Sequence, residues 1–346
     1  MSYFDSLRTL FALSSHSLRT RFARMPPYIR RKNAFVFKDI VVNPPNIRLG
    51  LCCINNQLRE KDIFCSRTLI ARTYTLDKAK DLVLKNLSDL TTILEWNVEH
   101  KIFHYRLSSD MFPRITDPSL ALEQRVKVSD YKHILATIGE FAKNSNQSIT
   151  MHPGQYNQVG ATDRKVFDKT VEDLSIHAEI LDYMGLDDSA ILTVHGGGVY
   201  GDKENTIRRW IEQFDELPRS VKNRLAIENC ERQYNIEDVL YIAEETEIPV
   251  IFDSHHFDCY NLIRGADFKA TDYLPYVIES WGSRRPIFHV SEQRPDARIG
   301  THSDFIETLP DYFLNIPQEY GIGIAIEVEA KAKEAAILKL YEKYKL

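Results

Sequence analysis

Eight short apolar runs recur from residue 47 onward: "IRLGLCCINN", "KIFHYRLSS", "SITMHPGQY", "ILTVHGGG", "RLAIENCE", "IPVIFDSHH", "PIFHVSEQ" and "IGIAIEVEAK". Each ends in a polar or chelating residue and precedes a stretch with helical spacing. Near-continuous apolar runs suit parallel strands buried on both faces. In 77–99, Ala79, Leu82, Val83, Leu87, Leu90, Ile93 and Leu94 fall mainly on one helical face, with Asp77 as the expected N-cap. Helices are likewise expected over 127–143, 163–185, 203–215, 236–246, 271–281, 303–315 and 331–344. Strands each followed by a helix predict an α/β fold, a (β/α)₈ TIM barrel forming one catalytic domain over 46–346. The competing open doubly wound sheet needs a glycine-rich turn after the first strand, which is missing.

The strand ends carry the chemistry. A barrel builds its site there, and the ends supply Asn55, Ser108, His152, His195, Glu228, Asp253 with His256, His289 and Glu329, while His302 lies in the loop after the seventh strand. One such histidine alone would be read as structural. Several imidazoles and three carboxylates converging on one mouth need a cation to offset them. Donors of this kind suit zinc, manganese or iron more than calcium or magnesium alone. Two or three ions with bridging carboxylates are expected, and paired ions point to metal-assisted hydrolysis or isomerisation. His255 is the structural member of its doublet, on the premise that neighbours on a strand face opposite ways.

Composition changes this picture little. The 346 residues are 43% apolar and 27% charged, with a net charge of −5 that gives no general pull towards nucleic acid or membranes. No apolar run is long enough to span a bilayer. The five cysteines form no Cys-x-x-Cys pair, which fits a reduced intracellular compartment, cytoplasm or nucleus. Residues 1–33 differ: six arginines and Lys32 face only Asp5, a local charge of +6. Such an arm is an unstructured lead, a mitochondrial or other targeting presequence, or a nucleic-acid arm.

"RLGLCCIN", "YRLSSDMFP", "HPGQYNQVG", "VHGGGVYGDK", "RLAIEN", "IFDSHH", "THSDFI" and "EAKAKEAAILKL" stand in an order and spacing that resemble the UV-damage endonuclease family, over about 46–342. That family is similar in fold and metal cluster to endonuclease IV. The resemblance implies a monomeric enzyme that acts on damaged double-stranded DNA and cuts immediately 5′ of ultraviolet photoproducts, leaving a 3′-hydroxyl. It implies up to three ions, usually manganese, held by His152, His195, Glu228, Asp253, His256, His289, His302 and Glu329, with Glu228, Asp253 and Glu329 as the catalytic carboxylates. Gln155 and Tyr156 match the pair that probes the duplex where damage is flipped out, and Asn55 matches a lesion-pocket position or is a turn-former. Lys203, Arg67 and Arg72 are candidate phosphate contacts.

Two positions depart from the family pattern. Ile287 replaces a lysine that can be carboxylated near the metals, which puts the third ion in doubt or passes its role to water or another carboxylate such as Glu292. Leu51 replaces an aromatic expected near the lesion pocket. Glu327 stands where an apolar residue is more usual, and is either an extra ligand or, as the preferred reading, a barrel-interior charge paired with a lysine. The competing functions are a sugar isomerase on the same barrel and a lesion-binding protein that does not cut.

Overall fold

The computed structural model describes residues 46–346. The 1–33 arm lies outside the described residues. Eight parallel strands close in sequence order into a barrel: β1 (Ile47–Cys52), β2 (His104–Leu107), β3 (Ser148–Met151), β4 (Leu192–His195), β5 (Leu225–Glu228), β6 (Val250–Asp253), β7 (Ile287–Val290) and β8 (Ile324–Val328). The helices named here are α1 (Leu76–Glu99), α2 (Lys132–Asn144), α3 (Arg164–Tyr183), α4 (Lys203–Phe214), α5 (Ile236–Thr246), α6 (Ser254–Arg264), α7 (Ala270–Ser280), α8 (Asp311–Tyr320) and α9 (Glu334–Tyr344).

Helix ends follow local chemistry, and three differ from expectation. Thr75, not Asp77, caps α1: its hydroxyl accepts from Lys78 N, while Asp77 sits in the first turn and favours the helix dipole. The helix after the seventh strand, α8, begins at Asp311 rather than near 303, with Pro310 at its N-cap. The buried Ile306 and Leu309 that mimic helical spacing belong to the loop before it. The third difference is α6. The strand stops at Asp253, whose carboxylate caps α6 by accepting from His256 N at 2.8 Å. His255 and His256 are therefore a helical pair, not alternating strand neighbours.

Polarity rises along the barrel interior. Its lower layer packs Ile191, Ala226, Ile251, Ile287 and Ala325 with Trp281, all buried. Trp281 Nε1 donates to Val250 O at 2.9 Å, satisfying the one polar group in that layer's largest side chain. Two residues further along β5, β6, β7 and β8 stand Glu228, Asp253, His289 and Glu327, every one nearly inaccessible.

Helices α2 and α3 pack closely where Gly139 meets the end of α3. A Cβ at 139 would overlap the Met184 carbonyl. Alanine normally stabilises a helix interior by up to about 1 kcal/mol over glycine. Gly139→Ala is instead expected to destabilise by about 1–3 kcal/mol through overpacking. A thermal melt showing a raised midpoint would refute this contact.

Candidate metal centre

Glu228, buried to 1% exposure at the end of β5, organises the mouth. Its Oε2 lies 3.0 Å from His152 Nε2 and 3.5 Å from His195 Nε2. Its Oε1 lies 3.1 Å from His289 Nδ1 and 3.3 Å from His256 Nδ1. Each oxygen thus faces its own pair of imidazoles, one on a strand (His195, His289) and one just beyond a strand's end (His152 in a loop, His256 in α6). Asp253 Oδ2 stands 3.6 Å from His256 Nδ1 and 4.0 Å from His289 Nδ1. Two groups compact enough to hold a cation result, His152 with His195 and Glu228, and Glu228 with Asp253 and His289.

A further group joins Cys52, Glu327 and Glu329. Here the Arg106 guanidinium already bridges the two glutamates. His302 Nδ1 approaches Glu329 Oε2 at 3.7 Å from the rim loop. All eight sequence-selected ligand residues therefore meet at one mouth, with His302 and Glu329 to one side.

The electrostatics match a site built for cations. Burial alone would raise the Glu228 carboxyl, but His195, His289 and hydrogen bonds from His152 and His256 hold it well below the usual range. Burial likewise opposes charge on His256 and His289, yet Asp253 and Glu228 respectively push these imidazoles well above their ordinary value. His195 is shifted down, chiefly by desolvation. Asp253 Oδ2 and His195 Nδ1 are buried without a hydrogen-bond partner. Such orphaned donors and acceptors beside a carboxylate are what a bound cation would satisfy, so the residues fit divalent metal.

The loop after β3 carries the sequence-selected probe. Tyr156 is 62% exposed and Gln155 is also at the surface. Their base is anchored: Asn157 Nδ2 donates to Asp173 at 2.8 Å, and Gln158 accepts from Gly198 N at 2.6 Å. Gly154 is needed here, since a Cβ would strike the Tyr156 ring. Tyr200, 48% exposed in the next loop, reaches Gln158 Oε1 at 3.4 Å.

Other selected residues have different surroundings. Asn55 is buried and caps a short turn, its Oδ1 accepting from Leu58 N at 2.9 Å, which favours the turn-former reading. Leu51 is fully buried and pairs with Tyr105 and Val328, one position off the inward-facing His104 and Glu327, so it lies on the outer face of the barrel wall. Lys203 is ion-paired with Asp238, and Arg67 pairs with Asp89 at 2.7 Å and with Asp62. Arg67 is nearly buried, whereas Lys203 keeps about a third of its side chain exposed. Glu292 Oε1 accepts from Glu307 N and Thr308 N and ties down a loop. Glu327 is a barrel-interior charge, but its partners are Arg106 and histidines rather than a lysine. His104 and Arg106 escaped the sequence reading because they precede the strand's end. Their signal was polar residues at alternate positions within "FHYRL".

Comparison with known proteins agrees with this geometry. The UV-endonuclease UvdE family model matches residues 47–346. A protein named as a UV-damage endonuclease from Acanthamoeba polyphaga mimivirus is 37% identical, over 88% of this chain and 93% of that one. The UV-damage endonuclease of Schizosaccharomyces pombe is 32% identical over 86% of this chain, which spans only 51% of that protein. The crystal structure of SacUVDE superposes with a TM-score of 0.75 at 30% identity, covering 86% of this chain and 99% of that chain. Endonuclease IV from Thermus thermophilus, at TM-score 0.53 and 12% identity over 87% of this chain and 99% of that one, shares the fold. With the family's model matched along all eight strands and their loops, the chain belongs to the UV-endonuclease UvdE family.

Proposed function

We propose that this chain is a metal-dependent DNA repair endonuclease that incises the backbone immediately 5′ of ultraviolet photoproducts in double-stranded DNA. The observation that carries the reading is Glu228, whose two oxygens each face a separate imidazole pair, below an exposed Gln155–Tyr156 tip. His152 and His195 would hold one divalent ion, and Asp253, His256 and His289 a second, with Glu228 between them. Manganese suits these nitrogen and oxygen donors, and zinc is the main competitor. Bound ions supply Lewis acidity at the phosphodiester and a hydroxide at neutral pH.

The chain's own residues set the rest. Glu228, Asp253, Glu327 and Glu329 stand against one fixed cation, Arg106, which pairs with the last two, so with the imidazoles neutral, as metal ligands must be, the mouth carries −3. Two divalent ions would turn that into a net positive charge, suited to a phosphate despite the acidic chain. Arg106 occupies Glu329 Oε1, while Glu329 Oε2 is directed towards His302, and Glu329 and His302 would hold any third ion. Tyr156 would replace stacking lost at a flipped lesion, and Gln155 would occupy vacated base edges. An isomerase reading draws on the shared barrel, but an exposed tyrosine on a clamped loop suits a duplex better than a small sugar.

Glu228→Gln keeps the shape and removes the charge between the two imidazole pairs. Incision of an irradiated duplex is expected to fall at least about a hundredfold, with bound metal reduced. Full activity with full metal content would sink the assignment.

Tyr156→Ala should spare metal content. Affinity for a photoproduct duplex is expected to weaken by about 1–3 kcal/mol, the usual value of a base–aromatic stack. Binding to undamaged duplex should hardly change. Equal losses on both substrates would make Tyr156 a general contact.

A further inference from the structure

Glu327 is fully buried beneath the mouth and belongs to neither imidazole pair. Its Oε1 receives His104 Nε2 at 3.0 Å and Thr150 Oγ1 at 2.5 Å. Its Oε2 receives Arg106 Nη1 at 3.0 Å and faces His289 Nε2 at 3.1 Å. The last contact is off hydrogen-bond alignment, and Nε2 has no other partner. The placement is fixed by register: across β2, β1, β8 and β7, His104, Gly50, Glu327 and His289 are successive neighbours. Gly50 makes room, because a Cβ there would strike the His104 ring.

The two nitrogens of His289 have opposite surroundings. Nδ1 faces three carboxylates, with Glu228 Oε1 at 3.1 Å, Glu329 Oε1 at 3.6 Å and Asp253 Oδ2 at 4.0 Å. Nε2 faces Glu327 alone. A neutral imidazole presents one lone pair and one N–H. A buried N–H needs an acceptor, and Glu327 is the one within reach.

We propose that Glu327 is a positioning residue for the metal centre. It accepts the Nε2–H of His289, which fixes the ring in the tautomer whose Nδ1 lone pair points at the ion between Glu228 and Asp253. This rests on the metal-centre reading of the mouth. Arg106, His104 and Thr150 hold the carboxylate from its other sides, so it can orient the ring without itself reaching the ion. A glutamine could not replace it. His104, Thr150 and Arg106 approach as donors and His289 would be the fourth, whereas an amide offers one acceptor oxygen and one competing donor.

The test uses zinc, a diamagnetic probe. In zinc-loaded wild-type protein, long-range ¹⁵N–¹H correlation should show His289 protonated at Nε2 and metal-bound at Nδ1. The opposite tautomer would overturn the proposal even if no variant folds. Glu327→Gln should weaken zinc binding by about ten- to a hundredfold, the usual effect of losing a carboxylate behind a ligand histidine, with circular dichroism unchanged. Thr150→Val, which removes a bond on the side away from His289, should change affinity less than threefold. A folded Glu327→Gln variant of wild-type affinity, or an equal loss in both variants, would reduce Glu327 to a structural member of the core. Wild-type protein that binds no zinc would instead refute the metal-centre reading.

Discussion

Burying a carboxylate as completely as Glu228 costs several kcal/mol unless opposite charge or donors surround it. The barrel meets that demand by bringing four strand or loop ends within about a hydrogen bond's length of the two oxygens. His152 and His256 come from loop and helix, and His195 and His289 from strands. The closed parallel sheet is what makes this convergence available, because its strands all end on the same face. The apolar lower layer and the outer helices fix the strands' register, and the register fixes which imidazole meets which oxygen.

Much of this was legible in the chain. Apolar runs ending in His, Asp or Glu gave both the barrel and its mouth, since side-chain type at a strand's end reports on the site. Positions set by contacts across the barrel were harder. Leu51 looked like part of a pocket because it lies near the end of β1, yet its facing was decided by pairing with Tyr105 and Val328. Lys203 and Arg67 are candidate phosphate contacts by residue type, but sequence does not reveal that Asp238 and Asp89 fold against them. His255 and His256 were read on strand periodicity, although the carboxylate just before them is a helix-starting residue. That same Asp253 both caps α6 and faces His256 and His289. Helix geometry and candidate coordination therefore share one side chain.

The rim above the mouth is less uniform than the interior. Tyr156 and Tyr200 offer aromatic surface on neighbouring loops, held together through Gln158. Their exposed rings stand on buried polar anchors, so the tip has a defined base without apolar packing over it. This differs from the side of the mouth near Glu329, where Arg106 supplies fixed positive charge from inside the barrel.

The gradient from an apolar base to an ionisable mouth also bears on how the barrel closes. Ile191, Ala226, Ile251, Ile287, Ala325 and Trp281 close the lower barrel by packing alone, with no ion in the bargain. Above them charge takes over, with Asp253 and Glu228 shifting the His256 and His289 imidazoles upward against the opposing effect of burial. The lower layer holds itself together without charged side chains, so closing the barrel does not depend on what the mouth above it holds.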